Sequence, residues 1–190
     1  SIKYLAIMRK LKYHEKKLLK KVDFLNWKSE KNIREVKILR RYHINKREDY
    51  IKYNRLCGQI RRISNKLKAL NQNDPFRIRV TEELILRLYN MGIIPTQKSL
   101  VQCDKIAASA FCRRRLPVVL VRLKMAENLR EAVTFIEQGH IRVGPETIID
   151  PAFLVTRTME DFVTWVPNSK IKRHVMKYNE KLDDFELLGI

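Results

Sequence analysis

Arg113-Arg114-Arg115 is the longest unbroken run of cations in the chain, and Arg122 and Lys124 follow closely. A guanidinium is planar, permanently charged and shaped to donate two hydrogen bonds to phosphate oxygens, so this group points to phosphate recognition. Residues suited to breaking or making bonds are not grouped in this way. Cys57, Cys103 and Cys112 have no CxxC partner and no histidine at ligand spacing, so no metal site is expected. His14, His43, His140 and His174 fall in four different segments, and the five glycines form neither GxxxxGK[ST] nor GxGxxG. Glu160 and Asp161 are adjacent, so they point apart, and read as the end of a turn before a strand. No GxSxG nucleophile motif occurs. The expectation is a binder: no enzyme, no cofactor and no small-molecule substrate.

The arginines must be carried by the elements around them. In "FCRRRLPVVLVRLKMA", Leu116, Val119, Leu120 and Leu123 repeat at i, i+3, i+4 and i+7, a buried helical stripe. Arg115 and Arg122 are seven apart and so would share another face. Pro117 leaves two alternatives: a helix that starts near Leu116, or a longer one from Ser109 that kinks. "ENLREAVTFIEQG" predicts a second short helix, capped by Asn128 with Glu131 three residues on and stopped by Gly139. Its stripe is Leu129, Ala132, Val133 and Ile136. Beyond it, alternation predicts a half-buried strand with Ile141 and Val143 inward and His140 and Arg142 outward. "DFVTWV" (161–166) predicts another strand. The sum is a small α+β module of two short helices and an antiparallel sheet.

Upstream the chain is basic and helical. Of 40 Lys and Arg against 21 Asp and Glu, residues 1–70 hold 22 and 6, a net +16 of the total +19. Such a block repels itself unless a polyanion offsets it, and nucleic acid is the first candidate. Leu11, Leu18, Leu19, Val22 and Leu25 could give a basic arm one helix face. Leu56, Ile60, Ile63, Leu67 and Leu70 predict a seam on a longer helix, with Arg55, Arg61, Arg62 and Lys66 on its remaining surface. Asp74, Pro75 and Gly92 mark the cap, first turn and stop of the next helix. The expected division is a basic helical part (1–108), the module (109–166), and a short basic helix with an acidic tail (167–190). Trp27, Trp165, Phe153 and Phe162 read as core, while Leu182, Phe185 and Leu187 read as a partner contact or a disordered end. The three scattered cysteines argue against disulfides and for a reducing compartment. No apolar run reaches the ~18 residues of a membrane span, and the start lacks a signal peptide's apolar stretch. With its first Met at position 8, the chain opens on what reads as an upstream segment.

The spaced elements Arg114-Arg115-Leu116, Gly139-His140-Ile141-Arg142-Val143 and Pro151-Ala152-Phe153-Leu154-Val155, in this order, resemble the ribosomal S-four-type RNA-binding module, also called the alpha-L motif. From Met8 onward, "REDYIKYN", "CRRRLPVVL", "EQGHIRVGP", "DPAFLVTRTMEDFVTWV" and "SKIKRH" are similar to the nucleolar branch of that family. The resemblance implies a nuclear, nucleolar ribonucleoprotein subunit that binds U-three small nucleolar RNA. It implies promotion of pairing with pre-rRNA ahead of the early cleavages, and docking on an acidic scaffold, M-phase phosphoprotein ten. Two departures stand out. Gly144-Pro145 replaces the Asn-Gly turn of many members, so the turn must differ. The end, "LDDFELLGI", lacks the basic, Gly-rich tail of the mature ribosomal protein. The other readings are a ribosomal subunit, an RNA-modifying enzyme lacking its catalytic domain, and a basic scaffold with incidental RNA contact. The expected RNA-contacting set is Arg113, Arg114, Arg115, Arg122, Lys124, Arg130, His140 and Arg142, reading RNA shape and phosphate positions.

Overall fold

The structure is a computed structural model that describes residues 10–21 and 29–180. Val22, Leu25, Trp27 and the tail residues Leu182, Phe185 and Leu187 lie outside the described residues. Contacts divide the chain into residues 1–37 and 38–190. The first unit holds α1 (Tyr13–Lys21) and the start of α2 (Ser29–Arg41). Leu11 and Leu18 are exposed there.

In the second unit, α3 (Arg47–Ala69) is the longest helix described, and α4 (Pro75–Asn90) follows it. Asp74 caps α4 by accepting from the Phe76 N–H at 2.9 Å, with Pro75 in the first turn. Gly92 ends it at φ +72°, its N–H donating to Tyr89 O. The connector carries two short helices, α5 (Val101–Asp104) and α6 (Ala108–Cys112). Their residues join α3 and α4 in one buried apolar cluster.

The seam of α3 is rotated from the expected one. Tyr53, Cys57, Ile60, Ser64 and Leu67 are buried, whereas Leu56, Ile63 and Leu70 are exposed. Partners decide this. Tyr53 stacks on Phe111 with centroids 5.7 Å apart, Ser64 donates to Asp104 Oδ1, and the helix turns its smaller residues toward α5 and α6. Arg61 is exposed, as expected, yet it is not a free cation, for it donates to the Ile106 carbonyl at 2.5 Å.

The C-terminal module has its own apolar cluster. Pro117 sits in the first turn of α7 (Leu116–Arg122), and α6 is separate, so the helix starts at Leu116. α8 (Leu129–Glu137) packs on α7. Asn128 makes no side-chain cap; Glu131 accepts from the Glu127 N–H instead. Gly139, at φ +73°, lets the chain reverse while the His140 N–H donates to Phe135 O. β1 (Ile141–Val143) lies between β2 (Glu146–Thr147) and β3 (Val163–Trp165), antiparallel to both. Val143 faces Glu146 across Gly144-Pro145, and Gly144 takes φ +62°. A type II′ turn needs positive φ at its first central position alone, which is how proline fits at the second. Ile141 is fully buried, as alternation predicts. Phe153 and Trp165 pack against the cluster, but Phe162 is exposed: it precedes β3 and faces away from its buried neighbour Val163. α9 (Arg157–Glu160) precedes β3, and α10 (Lys170–Tyr178) ends the described chain, capped by Ser169.

Cys57, Cys103 and Cys112 are buried free thiols. Burial pushes all three up, Cys112 to about 11, although the nearby Arg115 pulls it the other way. None should react with a thiol reagent at pH 8 in the native protein, and all three should react in denaturant. A thiol whose folded value is raised keeps its stabilising contribution below its ordinary value near 9. Above that the unfolded chain loses its proton first, so stability should fall as pH climbs from about 9 through about 11. Denaturant midpoints across that range are the check.

Candidate nucleic-acid interface

The triple arginine does not present one surface. Arg113 ends α6 and is exposed. Arg114 and Arg115 are only 6% and 4% exposed, so the expectation that they grip phosphate is corrected. Arg115 precedes α7 in extended conformation, so it shares no helical face with Arg122. Its Nη1 donates to Asp49 Oδ2 at 2.9 Å and to the Tyr53 hydroxyl at 3.1 Å. Burial pushes the Tyr53 phenol up, with Arg115 opposing. The ion pair thus ties α3 to the start of the module.

Arg114 is used differently. Its Nε donates to Val155 O at 2.9 Å and its Nη1 to Glu160 Oε2 at 3.0 Å. Around both arginines the chain pairs with the "PAFLV" segment. Arg115 bridges Leu154, the Leu116 N–H donates to Phe153 O, and the Val155 N–H donates to Arg114 O. The two ends of the sequence motif are therefore paired backbone, and the arginines lock that pairing. Gly92 leaves room for it, since a Cβ there would stand 2.8 Å from Arg114 Nε. Gly92→Ala combines that clash with a left-handed φ, and should destabilise by about 1–3 kcal/mol in denaturant unfolding.

Glu160 also pairs with Arg122, whose side chain is 51% exposed. One carboxylate thus brings Arg114 and Arg122 together, one inside and one at the surface. Lys124 lies two residues beyond Arg122, exposed, at φ +59° beside the C-terminal carbonyls of α7, a favourable place for a cation. Arg130 is exposed in the first turn of α8. Arg142 is half-buried on β1, its Nε donating to Thr164 Oγ1 at 3.1 Å across to β3. His140 is not an outward partner of Arg142. Its Nδ1 shares a hydrogen bond of 3.0 Å with Ser169 Oγ, and its ring meets the edge of Phe135. The Ser169 that holds it also caps α10.

Three residues absent from the expected set organise this site. Asp49 and Glu160 neutralise the buried guanidiniums. Arg157 donates to Tyr89 O and Ile94 O, at 2.8 and 2.9 Å, and lies 4.2 Å over the Tyr89 ring. Their only sequence signal was chemical type, because their partners are 38 to 68 residues away. Of the expected set, Arg113, Lys124 and Arg130 are left for a ligand, with Arg122 and Arg142 partly committed.

A helical part joined to a module of two packed helices and a three-stranded antiparallel sheet fits the S-four architecture. Residues 10–113 match the model of the ribosomal protein S4/S9 N-terminal domain, and residues 114–161 match that of the S4 domain. The chain belongs to the ribosomal S-four family. It is 56% identical over 182 residues to the mouse U3 small nucleolar ribonucleoprotein protein IMP3, covering 95% of this chain and 99% of the mouse protein. It is also 56% identical over 181 residues to the Saccharomyces cerevisiae protein of the same name, with the same coverage. The small ribosomal subunit protein uS4 of Hyperthermus butylicus is 30% identical over 145 residues, 75% of this chain and 80% of that protein.

Proposed function

We propose that this chain is an RNA-binding subunit of the U-three small nucleolar ribonucleoprotein. It acts without catalysis in the nucleolus, in early processing of small-subunit pre-rRNA. The observation that carries this reading is identity above one-half with proteins of that name along nearly the whole chain. The site supports it: Arg113, Lys124 and Arg130 stand exposed on separate elements around the module, where phosphates can reach them. In this reading the protein holds U-three RNA and favours its pairing with pre-rRNA, docked on an acidic scaffold of the M-phase phosphoprotein ten kind.

Arg113, Arg122, Lys124, Arg130 and Arg142 are the module's phosphate contacts. Neutralising about five phosphates of single-stranded RNA gives a slope of log K against log[salt] near −3.5. Arg113→Gln or Lys124→Gln should each flatten it by about 0.7. An unchanged slope removes that residue from the contact surface. Crosslinking in cells with sequencing of the bound RNA tests the whole reading. Recovery of U-three RNA with the 5′ part of pre-rRNA is expected. Mature rRNA throughout would mean a ribosomal subunit, and no RNA would mean a scaffold.

A further inference from the structure

The longest helix carries cations that the module does not use. From Tyr50 to Ala69, α3 has six Lys and Arg residues and no acid. At about 100° per residue they fall on two flanks of the buried seam. On one flank, Arg61 is bound to the Ile106 carbonyl and Lys68 to Asp104, which Lys68 holds below the usual carboxylate range. On the other, Lys52, Arg55, Arg62 and Lys66 share an arc of about 80° with Gln59 between them. All five are exposed, and among the described residues none of the four cations has an ion-pair or hydrogen-bond partner.

We infer that this flank of α3 is a second RNA-backbone surface, independent of the module, holding a further segment of RNA along its length. Lys52 to Lys66 spans about 21 Å at 1.5 Å per residue, a reach of several nucleotides. The row is uniformly polar. A protein helix docks through apolar anchors set at helical spacing, and this arc has none. Leu56 and Ile63 lie about 20–40° beyond Lys52 on the shoulder of the buried seam, Ile51 lies about 20° beyond Arg62, and Leu70, in line with Lys52, falls past the last helical residue, Ala69. A phosphate backbone needs only charge and hydrogen-bond donors, which is what the row offers. It also points away from the flank that grips Ile106 and Asp104, so one short RNA element does not reach both sides of the helix. The inference rests on reading the chain as an RNA binder, and adds a surface to it.

The test replaces Lys52, Arg55, Arg62 and Lys66 together by Gln in the full chain. Salt titrations use a 30-nucleotide single-stranded RNA and a hairpin RNA as probes. A control variant replaces Arg79, Lys98, Lys170 and Lys177 by Gln, removing equal charge elsewhere. The α3 variant should flatten the slope by about 2–3 and weaken binding roughly tenfold to a hundredfold near physiological salt, with the control close to the parent. Its loss should add to that of Arg113→Gln and Lys124→Gln, as independent surfaces require. Equal flattening in the control would reduce the effect to net charge and overturn the inference. An α3 variant that binds like the parent would also overturn it, leaving the module reading intact. So would retained RNA binding with lost capture of an acidic peptide, which would assign the row to a protein. A parent that binds neither RNA at low salt sinks the broader reading instead.

Discussion

Arg115→Ala is expected to lower the unfolding free energy by about 3–5 kcal/mol, because it leaves the buried Asp49 carboxylate without its cation. Tyr53 loses a hydrogen bond at the same time, though its ring keeps the stack on Phe111. The cost is that of an orphaned charge, not the net worth of the pair. Arg115→Met with Asp49→Leu should therefore recover most of it, since apolar groups of similar volume often replace a buried pair without loss. Denaturant unfolding of the two single variants and the double variant gives the coupling directly. Near-additive losses would mean that the two residues do not stabilise each other. Whatever fraction of Arg115→Ala stays folded should bind RNA with the parent's salt slope. A slope flattened by about 0.7 in that folded fraction would put Arg115 on the phosphate surface and contradict its burial.

The same pair shows where the sequence was legible and where it was not. Local rules held where the partner is a near neighbour. Asp74 caps the helix that Pro75 opens, and Gly92 and Gly139 stop helices at positive φ. The order of helix, helix, hairpin and strand was readable because each step is a change of period within a few residues. Most of what failed was decided at a distance. Arg113, Arg114 and Arg115 are chemically identical, and only the fold separates one solvent cation from two interior ones. Arg157 donates to two backbone carbonyls and Arg114 to one, and any residue type supplies these. The α3 seam failed for a related reason. Ranking residues by hydrophobicity favours Leu56 and Ile63 over Cys57 and Ser64, yet the smaller pair lets α5 and α6 approach closely. Asn128 makes no side-chain cap although Glu131 reaches back to the Glu127 N–H, and His140 turns from its expected outward place because Ser169 claims the imidazole.

Glu160→Gln should move stability and RNA affinity in opposite directions, because Glu160 holds a buried guanidinium with one oxygen and an exposed one with the other. The amide keeps an acceptor for Arg114 but not the charge, and Arg114 Nη2 already has no partner. A loss of about 1–3 kcal/mol is expected. At the surface, an RNA phosphate and this carboxylate compete for Arg122. Removing the carboxylate's charge frees Arg122 and takes away a nearby repulsion, so binding should tighten and the salt slope should steepen by up to about 0.7. Adding Arg122→Gln should erase the gain in affinity while leaving the stability loss in place. That separation isolates the carboxylate's two contacts. If folded Glu160→Gln bound RNA more weakly than the parent, Glu160 would instead be holding Arg122 in its binding pose, and the fork would be part of the RNA surface rather than its competitor.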